Sequence, residues 1–205
     1  MAFSEIRFEF GLGNSYSLQN TKFTLVPDEG ASYDAATYTG QWDTRGFSGP
    51  VWYSVKLEVG NDKHTWGIEE IHHKVYLRNV DDFEEIDNYE ASDGYNLVFF
   101  NYGTKIDDWI FRVGLGTVIT HPDITINGET NFFRQTKHLF ACPCNGDGYQ
   151  LDGYAGQLAV AHYWPSFVNT YVEAKITYGD TTMNIIDGKS RLQNTAIHLA
   201  GGIKF

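Results

Sequence analysis

No stretch of this 205-residue chain approaches the roughly 18 consecutive apolar residues of a membrane-spanning helix, which excludes an α-helical membrane protein. Helix-length hydrophobic periodicity is missing as well. Basic residues are few: 15 Lys and Arg against 26 Asp and Glu leave a net charge of -11, which argues against nucleic acid as a partner. The only cysteines are Cys142 and Cys144 around Pro143, a spacing at which a disulfide is strained. With His138 they offer three soft-metal donors, although loops of this spacing are more often structural. The start, MAFSEIRF, enters an alternating strand with no charged and apolar leader, so export is expected to involve a signal peptide already removed.

What is present is glycine, aromatics and alternation. Twenty-one Gly and 16% aromatic residues favour an all-β chain. Val51, Tyr53, Val55, Leu57 and Val59 alternate with Trp52, Ser54, Lys56 and Glu58, and the pattern recurs. It predicts strands over about 3–13, 50–60, 64–78, 93–103, 107–121, 150–164, 167–178 and 193–205, all in one domain, 1–205. The connections run long, short, long, short, long, short, long. An even strand count with loops that alternate in length predicts an eight-stranded antiparallel up-and-down transmembrane β-barrel of a Gram-negative outer membrane. Both termini are then periplasmic, the tube is expected to act as a monomer, and the terminal Phe205 suits the carboxy-terminal signature of such barrels.

The rival is a soluble, lipocalin-like barrel, whose apolar face would line a cavity. It would pack Val55, Leu57, Val113 and Ile197 into a common core and leave Lys56 and Glu173 in solvent. Loop asymmetry and aromatic strand ends such as Tyr53, Trp66, Trp109, Trp164 and Tyr178 favour the membrane. The acidic group Asp81, Asp82, Glu84, Glu85, Asp87, Glu90 and Asp93 reads as a solvated loop, or as one taking up divalent cations at a lipopolysaccharide surface.

A tube of eight strands is just filled by side chains, so a solute channel is not expected. In GIEEIHHKVYL, Gly67–Leu77, the alternation is taken to point Glu70, His72, Lys74 and Tyr76 inward and Ile71, His73, Val75 and Leu77 to lipid. The inward set then includes Arg7, Glu9, Lys56, Glu58, Glu70, His72, Lys74, Asn96, Arg112, Gln157, Glu173, Lys175 and His198, a mixture suited to ion pairs that fill the lumen. A histidine beside a carboxylate is also a general base or half of a ligand pair. His72, His198, Glu173 and Glu70 are the candidate catalytic set, and a divalent metal ion is the cofactor they would take. Lys74, Arg112, Lys175, Asn96 and His121 are the candidate contacts to a phosphorylated substrate, with Asp93 nearby. No spacing motif such as HExxH supports the set.

IHHKVYL, SDGYNLVFFN, FRVGLGTVITHPDI, GYQLDGYAGQLAV, YVEAKITYGD and NTAIHLAGGIKF, in this order over about residues 64–205, together resemble a family of small outer-membrane barrels that includes lipid A oxidases. The resemblance implies a barrel among lipopolysaccharide and an oxygen-dependent conversion of the proximal glucosamine of lipid A to an aminogluconate. It assigns no catalytic residue here, and the pair His72-His73 and the Cys142-Pro143-Cys144 loop depart from it. The alternatives are a structural or adhesive barrel without catalysis, and a lipid A deacylase, for which Ser54 is the inward serine.

Overall fold

The computed structural model describes residues 5–130, 149–164 and 169–205, with the backbone alone for Asp93 and Asp152. The loop with His138, Cys142 and Cys144 lies outside the described residues. The strands in chain order are β1 (Glu5–Ser17), β2 (Thr21–Pro27), β3 (Ala36–Gly40), β4 (Trp42–Asp43), β5 (Tyr53–Gly60), β6 (His64–Leu77), β7 (Ile86–Ile106), β8 (Trp109–Thr120), β9 (Asp123–Ile126), β10 (Glu129–Thr130), β11 (Gln150–Trp164), β12 (Thr170–Ile185) and β13 (Gly188–Lys204). Eight of them form a closed antiparallel ring, β1-β5-β6-β7-β8-β11-β12-β13, with β13 returning to β1 and the β6–β7 ladder completing the circuit. Closure leaves no unpaired edge in the wall, the condition for a sheet to cross hydrocarbon.

The wall is inside out. Val113, Leu158, Ile176 and Ile197 sit side by side on four adjacent strands and face outward, with Leu158 60% exposed. Leu57, Ile68, Phe100 and Leu115 continue this apolar belt, while Lys56 is 0% and Glu173 1% exposed inside the tube. These are the positions that a soluble barrel would reverse. Rings mark both borders: Trp66, Trp109 and Trp164 at one, Tyr154 and Tyr178 at the other. Between Tyr154 and Trp164, β11 climbs about 25 Å, taking roughly 3.3 Å per residue and a strand tilt near 40°. That is the height of a bilayer-crossing belt. Among the described residues no helix is long and apolar enough to cross.

The two ends differ. At the turn end β5 and β6 are joined by residues 61–63 and β7 and β8 by Asp107 and Asp108, with Asp107 left-handed (φ 53°). Both Glu5 and Lys204 lie there, held together by an ion pair of 2.9 Å. At the other end the strands run on past the belt into a head, where polarity inverts again. Phe23, Leu25, Trp42, Tyr89, Ile124, Ile126, Met183, Ile185 and Leu192 form a buried apolar core continuous with Ile71, Leu97 and Phe99 in the upper lumen. Where lipid lies outside, the interior is ionic; where water lies outside, apolar side chains turn inward as in any soluble sheet.

Three expectations need correction. Residues 179–192 are no long connection: β12 and β13 stay paired up to a turn at Ile186 and Asp187, because Thr181, Met183, Ile185, Ser190 and Leu192 alternate into the head core. Strand β7 starts at Ile86 rather than 93, since Ile86, Tyr89 and Ala91 supply the same core; a bulge near Gly94 (φ 151°) restores the barrel register. Strand β6 presents its other face. Lys56 points inward and pairs with Glu69, so Glu69, Ile71, His73 and Val75 line the lumen and Glu70, His72 and Lys74 lie on the outer face, where Tyr53 covers His72 and Ser48 covers Lys74, leaving both buried.

Tyr33 pins the tip of the head by sharing its hydroxyl proton between the carbonyls of Ile186 (2.9 Å) and Asp187 (3.1 Å). Burial first, and then the Asp187 and Asp28 carboxylates, push its phenol up to about 12 from 10.0. The folded state thus holds the proton more tightly than the unfolded chain. Its contribution is full below pH 10 and lost as pH rises to 12. In urea titrations Tyr33→Phe should cost about 1 kcal/mol at pH 9, and the difference from wild type should vanish by pH 12. A gap that is unchanged with pH would refute the assignment.

Candidate functional site

The lower lumen is built from alternate positions of β1, β5, β6, β8 and β12, which bring Arg7, Lys56, Arg112 and Lys175 against Glu9, Glu58, Glu69 and Glu173. Arg112 lies at the centre. Its Nε and Nη2 donate to the two oxygens of Glu58 at 2.7 and 2.9 Å, Nη1 donates to Glu173 at 2.9 Å, and Nη2 also reaches the Tyr163 hydroxyl at 2.7 Å. Lys56 donates to both Glu173 oxygens at 2.8 and 2.9 Å and sits 3.1 Å from Glu9. Lys175 bridges Glu173 at 2.7 Å and Glu69, and Gln157 donates to Glu69 at 2.7 Å. Gly114 makes room for this: a Cβ there would stand 2.1 Å from the Asn101 amide oxygen, which accepts from Gln157. Four cations and four carboxylates amount to a neutral filling of the tube, in which Arg7 alone is held by a single hydrogen bond, to Glu58.

One layer higher the lumen is uncharged. Trp52 Nε1 donates to His198 Nδ1 at 3.1 Å. Indole can only donate, so that nitrogen carries no proton; His198 is neutral and donates from Nε2 to Thr177 Oγ1 at 2.8 Å. His73 lies edge-on to it, with ring centroids 5.2 Å apart. The Asn194 amide nitrogen donates to Ser17 at 3.0 Å, which turns its oxygen toward His73; His73 therefore donates from Nε2 (3.1 Å) and accepts the Ser15 hydroxyl at Nδ1 (3.1 Å). Two neutral imidazoles with fixed tautomers seal the layer between ion pairs and apolar core.

The outer wall carries the remaining candidates. His72 stacks on Tyr53 (5.1 Å, 7°) and donates from Nδ1 to the Asn96 amide oxygen at 2.8 Å, while the Tyr53 hydroxyl donates to Glu70 at 3.3 Å. Lys74 donates to the Ser48 carbonyl at 2.8 Å and, with Arg45, lies over the Tyr76 ring. His121, at the end of β8, packs on Tyr149 at 4.9 Å.

The nine candidates thus fall into three places. Glu173, Arg112 and Lys175 share the ion network, His198 belongs to the uncharged layer, and Glu70, His72, Asn96, Lys74 and His121 are spread along the outer rim. The barrel wall stands between His72 and His198, and neither His73 nor His198 hydrogen-bonds a carboxylate among the described residues. Among the described residues no three His, Cys, Asp or Glu side chains are grouped to hold a metal ion. The side chain of Asp93 lies outside the described residues. Glu69, Trp52 and Asn194 were not singled out by sequence, and His73 was expected to face lipid, although counting back from the tight turn after Gly60 would have set Glu69 opposite Lys56.

Comparison with known proteins adds little. No protein-family model matches the chain, and no curated protein does. Among solved structures it is similar to Ail, the attachment invasion locus protein of Yersinia pestis, at 14% identity and a TM-score of 0.47, over 98% of this chain and 100% of that one. No family model or curated protein supports the lipid A oxidases specifically.

Proposed function

We propose that the chain is an outer-membrane barrel of a Gram-negative cell that conducts no solute and makes its contacts through the head, among lipopolysaccharide at the cell surface, in a structural or adhesive role. The observation that carries this reading is the double closure of the tube, by a neutral ion network below and an apolar core above, with all extra sheet gathered at one end. The head is also where the acidic charge collects: Asp81, Asp82, Glu84, Glu85 and Asp87 in and beside the β6–β7 connection, with Asp28, Glu29, Asp34 and Asp187. Large extracellular elements opposite short periplasmic turns are the usual arrangement of such barrels.

An epitope inserted between Asn127 and Gly128, the left-handed pair that turns β9 into β10, tests the orientation. Antibody should bind intact cells without permeabilisation, and the purified barrel should give no discrete conductance steps in planar bilayers. Binding only after permeabilisation, or stable steps, would defeat the reading. Mass spectrometry of lipid A from cells with and without the protein separates the enzymatic alternatives. An oxidised glucosamine or a lost acyl chain would replace the contact role with catalysis.

A further inference from the structure

The turn end of the tube holds a cavity of about 180 Å³ below the ion network, whose Arg7 and Tyr163 form part of its lining. Its lining combines three basic side chains, Arg7, Lys105 and Lys204, with two carboxylates, Asp107 and Asp108, from the β7–β8 turn. Arg7 is 2% exposed, yet its Nε has no hydrogen-bond partner; its Nη2 is committed to Glu58 at 3.3 Å. Lys105 and Lys204 both donate to Glu5, at 3.2 and 2.9 Å. An ammonium carries three protons, so each lysine has donors left after that bond. Glu5 is 38% exposed at its side chain and can share or yield the position. Trp164, at the border of the apolar belt, is also part of the lining.

We propose that this mouth binds a zwitterionic phosphate–amine group, phosphoethanolamine in charge pattern and size. The phosphate oxygens are received by Arg7, Lys105 and Lys204, and the primary ammonium by Asp107 and Asp108. A purely anionic ligand would meet the two aspartates and Glu5, and a purely cationic one the three basic side chains. Only a group with both charges a few bonds apart satisfies both sets. The position beside Trp164 lets a lipid of the adjacent leaflet bend its headgroup over the rim, and the same chemistry also exists in soluble form. The lipid source rests on the outer-membrane reading, whereas the pocket does not.

The test uses the full chain in a neutral maltoside detergent, with ³¹P NMR or calorimetry as readout. The probes are glycerophosphoethanolamine, inorganic phosphate, and phosphatidylethanolamine or phosphatidylglycerol in mixed micelles. Saturable binding of a phosphoethanolamine probe is expected. Lys105→Gln with Lys204→Gln should weaken it about tenfold or more, the loss of two charge-assisted bonds. Asp107→Asn with Asp108→Asn should weaken the phosphoethanolamine probes while leaving phosphate binding equal or stronger. These four positions lie at the mouth, outside the buried network, so the variants are expected to fold, and heat-modifiable migration on a gel verifies it. Binding of phosphatidylethanolamine alone, or of the soluble probe as well, supports the pocket and assigns its source. Equal binding of phosphate and phosphoethanolamine, binding unchanged in the folded variants, or none, overturns it, and none of these results bears on the orientation fixed by the surface epitope.

Discussion

Replacing Arg112 with methionine should destabilise the barrel by about 3–5 kcal/mol, the cost of stranding buried charges when one partner is removed. The size follows from its contacts. Arg112 donates two bonds to Glu58, one to Glu173 and one to Tyr163, and it is 3% exposed. Without it the four carboxylates Glu9, Glu58, Glu69 and Glu173 face the three cations Arg7, Lys56 and Lys175 in the tube interior. Urea unfolding in lipid vesicles gives the free energy, and heat-modifiable migration gives a simpler midpoint. Arg112→Met combined with Glu58→Gln restores charge balance and should recover a large part of the loss. A single variant that loses less than about 1 kcal/mol, as exposed ion pairs do, would mean that the lumen is wet, and the closed tube behind the proposed function would fail with it.

Alternation made the barrel legible because a wall with lipid on one side and ion pairs on the other writes period two into every strand. Val51–Val59 was the plainest to read: all five residues of one set are apolar and both charges fall in the other. Strand β6 could not. Glu69-Glu70 and His72-His73 place the same residue type on both faces, so alternation alone fits either register, and what decides is the turn after Gly60, which sets Lys56 opposite Glu69. The consequence for the candidate site was large, because a one-residue shift moves every side chain to the other face. His72 thereby left the lumen and His73 entered it. The head was missed for a different reason. Its strands obey the soluble rule, apolar side in, so Met183, Ile185 and Leu192 continue β12 and β13 with a core instead of a belt outside them, and their mixture with Asp, Asn and Gly reads as loop. Local signals of hairpins there were the alternating stretch TKFTLV, which forms β2, and the Asn127-Gly128 and Asp187-Gly188 pairs.

Placing an arginine at Leu158 should cost about 2–4 kcal/mol in a bilayer, the penalty for a cation at the midplane of a barrel's lipid face. Leu158 stands between Val113 and Ile176 on the neighbouring strands, and lies on β11 about midway between Tyr154 and Trp164. Among the described residues no carboxylate shares this part of the surface: Glu173 points inward, Asp180 lies beside Tyr154 at the border, and β13 carries no acid. The same substitution at Tyr154 should cost roughly 1 kcal/mol or less, because penalties fall off toward the interface, and Asp180 is adjacent there. Depth dependence is what separates the membrane from a soluble barrel with an oily exterior. In water an arginine at an exposed leucine would be neutral or would improve solubility at either height. Urea titrations of both variants in vesicles decide it. Equal, small effects at Leu158 and Tyr154 would show that no hydrocarbon surrounds the belt, however its side chains point.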